Sequence, residues 1–193
     1  MNKPLTEMTL GELWQLFPIM LTPHHPAWAD WYREEAALLR QYLHAESVRI
    51  HHIGSTAIPG IWAKPIIDIL LEAADKEALQ RVAAILTAHG YLQMSANAQR
   101  ISLNKGYTPQ GFAEKVFHIH LRLPQDDDEL YFRDYLRAHL AVAQAYEALK
   151  LSLWHRYEHD RDGYTAAKGD FIRRYTQAAK SLYDAPINPE DSV

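Results

Sequence analysis

The segment HHIGSTAIPGIWAKPIIDILLE contains a strand-like run that ends in Gly54–Ser55 and, further on, a single aspartate, Asp68, within PIIDILL. A carboxylate isolated among Ile66, Ile67, Ile69, Leu70 and Leu71 is penalised by several kcal/mol unless it is paired, protonated or metal-bound. Two readings follow. Asp68 makes a structural ion pair, or its strand opens at one end into a cleft and presents the carboxylate to a ligand. Gly54–Ser55 favours the second, because a strand ending in Gly-Ser lets backbone approach a phosphate, with amides and the Ser55 hydroxyl donating hydrogen bonds.

A second group of candidates lies in Glu114–Leu123, which alternates as a strand does. Phe117, Ile119, Leu121 and Leu123 share one face, and His118, His120 and Arg122 the other. Imidazoles two residues apart on a strand can converge on one metal ion. Asp68, His118 and His120 are therefore a candidate metal site, with Asp68 and His120 as candidate catalytic groups; the alternative is a pair of satisfied polar histidines on a cleft wall. His52 ends the first strand as either a further ligand or a packed histidine, since it shares parity with Val48 and Ile50. Lys64 either contacts phosphate or pairs with Asp68. Arg100 and Lys105 bracket a loop that closes over an anionic ligand, or else are solvated surface charges.

Other patterns carry less chemistry. The acids at 126–129 resemble a metal cluster, but acids at a helix start are favoured by the macrodipole. His155 and His159 are four apart, yet HRYEH lacks the HExxH order. The basic residues of FRDYLRAH and FIRRY are expected to pair with Glu129, Asp134 or Asp170. The sequence holds no Walker A motif, Rossmann glycine fingerprint or nucleophile elbow.

The elements that must position these residues follow from periodicity. Thr9-Leu10-Gly11-Glu12 has the form of a capping box before a short helix. A longer helix runs from about Ala27 to Ala45, with Trp28, Tyr32, Leu39, Tyr42 and Leu43 inward. Val48–Ile53 and Pro65–Leu71 read as strands, the second covered on both faces. Asp75 caps a helix that carries Leu79, Val82, Ala83 and Leu86 and stops at Gly90. Strands near Tyr91–Met94 and Gln99–Leu103 lead to a loop, KGYTPQGFAEK, before the histidine strand. Helices are expected at roughly 127–138, 140–157 and 164–183, with a loop at HDRDG and a frayed tail, NPEDSV. This is an α+β layout: a small mixed sheet flanked by helices, with a C-terminal helical part. We read it as one domain over 1–193, with a helical extension at 1–22, an α/β core at 23–125 and C-terminal helices at 126–185.

Composition narrows the function classes. The 193 residues include 20 Lys and Arg against 24 Asp and Glu, a formal charge of −4 that argues against a nucleic-acid surface. No cysteine is present, which excludes disulfides and thiolate metal sites. The N-terminal stretch carries Glu7 and Glu12 and reads as a helix, not a signal peptide. No apolar run is long enough to span a membrane, and the expected location is cytoplasmic.

Hydrophobic-Gly-Ser, twelve residues, then Asp in an apolar strand resembles the nucleotidyltransferase superfamily typified by polymerase β. HIGSTAIPGIWAKPIIDIL is similar to the signature of the GrpB family, as are PAWADWYREEAALL, FHIHL, YFRDYLRAHLAVAQAYEALK and YTAAKGDFI in that order. The resemblance implies a polymerase β-like sheet, a nucleoside triphosphate at Gly54–Ser55 and a divalent metal, Mg²⁺ or Mn²⁺, at Asp68. It also exposes a departure. The superfamily usually carries Asp-hydrophobic-Asp, and here the second position is Leu70. Glu72 keeps the parity of Asp68 but lies about 13 Å along an extended strand, too far to share a metal easily. The leading expectation is nucleotidyl transfer to an unknown acceptor. Alternatives are a non-catalytic module for a nucleotide or other phosphorylated small molecule, and a metal-dependent hydrolase.

Overall fold

A computed structural model describes residues 3–183, so the expected tail NPEDSV lies outside the described residues. Short helix α1 (Leu10–Leu16) begins at the capping box, where Thr9 accepts from the Glu12 amide and the Glu12 carboxylate accepts from the Thr9 amide. Helix α2 (Ala27–Tyr42) buries Trp28, Tyr32, Ala36 and Leu39 on one stripe. Strands β1 (Val48–Ile53) and β2 (Ile67–Ala73) follow, then α3 (Lys76–Ala88), whose first turn is held by the Asp75 carboxylate accepting from the Ala78 amide at 2.7 Å.

Strands β3 (Leu92–Ala96), β4 (Arg100–Thr108) and β5 (Gly111–Arg122) complete a five-stranded sheet in the order β1-β2-β5-β4-β3. Strands β2 and β5 run parallel, and the other neighbours antiparallel. The segment expected as a loop, KGYTPQGFAEK, is a tight hairpin in which Tyr107 pairs with Phe112 and Thr108 with Gly111. Glycine marks an irregularity in the ladder there. At Gly106, φ is 92° and a side chain would collide with the Lys115 carbonyl.

The two faces of the sheet differ in chemistry. One face carries Ile50, Ile67, Ile69, Leu71, Ile119, Leu121, Ile101 and Leu103 against α2 and α3 in the main apolar core. The other carries Asp68, Leu70 and Glu72 of β2 beside His118, His120 and Arg122 of β5. Its cover is the C-terminal part: α4 (Asp128–Ala138), α5 (Leu140–Trp154), α6 (Arg161–Ala167) and α7 (Gly169–Leu182). The expected single helix over 164–183 is two helices broken at Lys168–Gly169. HDRDG contains the start of α6, capped by Asp160 accepting from the Gly163 amide at 2.8 Å. Among the described residues, no helix is long and apolar enough to cross a membrane.

Candidate functional site

Register brings Asp68 and the histidines together. In the parallel β2–β5 pair, Asp68 lies opposite His118 and Leu70 opposite His120, so all four side chains share a face. The His120 Nε2–H donates to Asp68 Oδ1 at 2.9 Å, and His118 Nδ1 approaches the same oxygen at 3.4 Å. The far nitrogen of His118, Nε2, lies 2.8 Å from the Tyr107 hydroxyl. With the His118 proton on Nδ1, toward the carboxylate, that hydroxyl donates to Nε2. Burial opposes the Asp68 charge, but hydrogen bonds and charge from His118 and His120 outweigh it and hold the carboxyl well below its ordinary value. Burial pulls His118 down to about 4, against the opposing influence of Asp68.

The end of β1 supplies the neighbouring turn. Gly54 has φ 72° and ψ −172°, a conformation that glycine alone adopts without strain. A Cβ there would lie 2.5 Å from Asp68 Oδ2, so glycine both makes the turn and leaves room beside the carboxylate. Ser55 follows, and it lines the cleft together with Tyr146.

These groups open into a cleft of about 710 Å³, lined also by Lys64, Lys150, Arg161 and Lys168. Burial lowers all three lysines: Lys64 to about 8, assisted by Arg161, and Lys150 and Lys168 to about 7. Mutual repulsion among the lysines adds to the effect at Lys150 and Lys168. Tyr164, buried at the same wall, has a phenol oxygen without a hydrogen-bond partner among the described residues. A partly desolvated cluster of cations, with an unsatisfied hydroxyl, has the chemistry to hold an anion.

Asp68, His118 and His120 each offer one donor atom, and these atoms lie within 4.8 Å of one another. The donor set fits a divalent ion, and the space left by the missing Gly54 side chain gives it access to Asp68. Two imidazoles and one carboxylate suit Mn²⁺ or Zn²⁺ better than Mg²⁺, which prefers oxygen ligands.

Gly54, Ser55, Lys64, Asp68, His118 and His120 thus converge. Arg100 reaches the rim of the cleft, but Asp126 holds its guanidinium through two hydrogen bonds of 2.6 and 2.5 Å. Lys105 does not reach it. It pairs with Phe117 in register, on the opposite face, and its ammonium donates to buried Glu35 at 2.8 and 2.9 Å. With Arg100 and Lys105 inside β4, there is no loop between them to close. His52 also faces away, stacked on Tyr32 with ring centroids 4.6 Å apart. Of the acids at 126–129, Asp128 pairs with Lys180 and Asp126 with Arg100. Sequence reading missed Tyr107, Lys150, Arg161, Tyr164 and Lys168. The signal for Lys168 was the glycine after it, which breaks the helix and lets the chain turn at the cleft.

A family model described as GrpB protein matches residues 18–178. A UPF0157 protein of Pseudomonas aeruginosa is 40% identical over 172 residues, spanning 88% of this chain and 71% of that one. The crystal structure of the conserved protein GrpB from Enterococcus faecalis is similar with a TM-score of 0.74 and 31% identity, over 86% of this chain and 100% of that one. A mutant of the Cid1 poly(U) polymerase bound to MgATP shares the fold alone, at TM-score 0.50 and 13% identity over 77% of this chain and 46% of that one. The chain belongs to the GrpB protein family and has a nucleotidyltransferase-type fold.

Proposed function

We propose that this protein binds a nucleoside triphosphate together with one divalent metal ion and transfers the nucleotidyl group to a small acceptor. The observation that carries the reading is the Asp68–His118–His120 donor set beside Gly54–Ser55, at the end of a cleft with a basic opposite wall. The cleft volume lies in the range of about 300–1,000 Å³ usual for small-molecule sites. Asp68, His118 and His120 would hold the ion, which when bound supplies positive charge at the reacting phosphate. Ser55 hydrogen-bonds a phosphate oxygen, while Lys64, Lys150, Arg161 and Lys168 neutralise the rest of the polyphosphate. Tyr107 fixes the ring of His118 from behind.

Leu70 sets the limits of the chemistry. It is fully buried with Ile53 and Leu130, so β2 places no second carboxylate beside Asp68. A single ion then leaves the basic wall to supply the remaining charge. Leu70 also favours a second reading, a module that binds the nucleotide without turnover.

Calorimetric titration of ATP, GTP, CTP and UTP, each with and without Mn²⁺, tests both. The expected result is metal-dependent binding of one nucleotide, with Asp68→Asn folded and weakened more than about 100-fold, since loss of an outer-shell partner alone costs about 10–100-fold. Unchanged affinity in a folded Asp68→Asn protein overturns the site. Binding without metal favours the non-catalytic module. Zn²⁺ or Mn²⁺ bound with no response to any nucleotide would point to a hydrolase.

A further inference from the structure

A second cavity of about 280 Å³ lies beneath α1, walled by Leu13, Trp14, Phe17, Met94, Tyr107 and Phe112. It exists because α1 is poorly seated. The helix buries none of its residues, although Leu10, Leu13, Trp14 and Leu16 are apolar. The facing edge strand β3 leaves Leu92 and Met94 exposed. Yet the segment is anchored at several points. The Ile19 amide donates to the Glu158 carbonyl at 2.7 Å, the Trp154 indole donates to the Ile19 carbonyl at 2.6 Å, and His159 Nδ1 bonds the Trp14 carbonyl at 3.1 Å. A fixed roof over an apolar hollow, with Phe17, Tyr107 and Phe112 in mutual ring contact at 4.6–5.2 Å, is a preformed pocket.

This pocket touches the basic cleft. Lys64, Ile66 and Arg161 line both cavities. Tyr107 joins them as well: its ring walls the apolar pocket while its hydroxyl reaches His118 at 2.8 Å. At the junction, Arg161 and Tyr107 line the pocket together, and neither Lys64 nor Arg161 pairs with a carboxylate among the described residues. An apolar hollow that ends on two cations selects a molecule with an apolar body and an anionic head.

We propose that the pocket beneath α1 is the acceptor site, and that its occupant is a small acid: an apolar body of ring size bearing a carboxylate or phosphate at the Lys64–Arg161 junction. The identity of the acceptor rests on the transfer reading above; the pocket does not. Chemistry at the neighbouring site supports an ionised acceptor. With Asp68, His118 and His120 committed as ligands and Leu70 in place of a second carboxylate, β2 and β5 leave no free carboxylate or imidazole beside the ion to deprotonate a hydroxyl. An anionic oxygen has no proton to lose. Its electron pair forms the new bond to the α-phosphorus, the bond from that phosphorus to the bridging oxygen breaks, and the electrons leave with pyrophosphate. A carboxylate gives a mixed acyl–nucleotidyl anhydride and a phosphate gives a phosphoanhydride.

The test uses 1-anilinonaphthalene-8-sulfonate, an apolar dye with an anionic group, bound to the full chain and followed by fluorescence. Benzyl alcohol, phenylacetate and phenyl phosphate serve as competitors. Expected is displacement by at least one of the two acids at concentrations roughly tenfold or more below benzyl alcohol, a preference that collapses in Arg161→Gln; which acid displaces assigns the head group. Met94→Trp, which fills the pocket from its exposed rim, should weaken the dye about tenfold or more while leaving Mn²⁺-dependent nucleotide binding unchanged. Dye and Mn²⁺–nucleotide should bind together. The proposal is overturned by absent dye binding, by unchanged dye affinity in Met94→Trp, by equal displacement with benzyl alcohol, or by competition between dye and nucleotide. If the dye results hold and no nucleotide binds, the pocket stands and the transfer reading fails.

Discussion

Gly54 shows how much of the site rests on one absent side chain. Its backbone lies in a region closed to other residues, and any Cβ would press on the Asp68 carboxylate. Gly54→Ala is expected to destabilise the fold by about 1–3 kcal/mol and to weaken metal-dependent ligand binding by displacing Asp68. Urea denaturation and Mn²⁺ titration of the same variant check both effects. Normal stability with normal metal affinity would show that the turn is dispensable. The choice between an ion pair and a ligand site for Asp68 was open in the sequence because the partners sit 50 and 52 residues away. The structure makes the carboxylate both paired and reachable: His120 bonds it, and its side chain keeps 28% of its surface exposed toward the cleft.

At the scale of elements, strand parity carried most of the legible information. Alternation in β5 placed His118 and His120 on one face, and the shared parity of His52, Val48 and Ile50 set His52 on the other. Parity could not supply pairing order. That is why Lys105 looked like a cleft residue when β4 turns it toward α2 and Glu35. Glycines and a proline suggested a loop where the ladder runs on to Thr108, because tertiary pairing with β5 overrides local turn preference. His52 also provides a pH test of the apolar face. Thr56 donates its hydroxyl proton to the Ile66 carbonyl at 3.2 Å, so the His52 Nε2–H donates to Thr56 at 3.0 Å. Burial, reinforced by Arg137, lowers this histidine to about 3. Its unfolded value is about 6.5, so between the two the unfolded chain binds more protons, and stability falls as pH drops from about 6.5 toward 3. The urea midpoint should decline over that window, and less steeply in His52→Phe. An identical slope in the variant would place the proton uptake elsewhere.

Across the whole molecule, the sheet joins an apolar face that holds the fold to a polar face that holds the site, and the C-terminal helices bring cations to that second face. Burial, with charge repulsion adding to it, lowers the pKa of Lys150 and Lys168 to about 7. A bound polyphosphate would raise both values, so binding at pH 7.5 is expected to take up protons and affinity to fall as pH rises through 7–8. Titration calorimetry in buffers of differing ionisation enthalpy reads the uptake directly, and identical heats in all buffers would contradict it. The distribution of charge has a kinetic consequence. Among the described residues, seven of 20 basic residues line the cleft with three of 21 acids, which leaves 13 bases against 18 acids elsewhere. A small anion therefore meets an attractive mouth in a repelling exterior, which guides it inward over roughly a Debye length of about 8–10 Å. A long polyanion would have to lie along that exterior as well, so the same charge pattern that would speed the capture of the proposed mononucleotide would oppose a nucleic-acid strand.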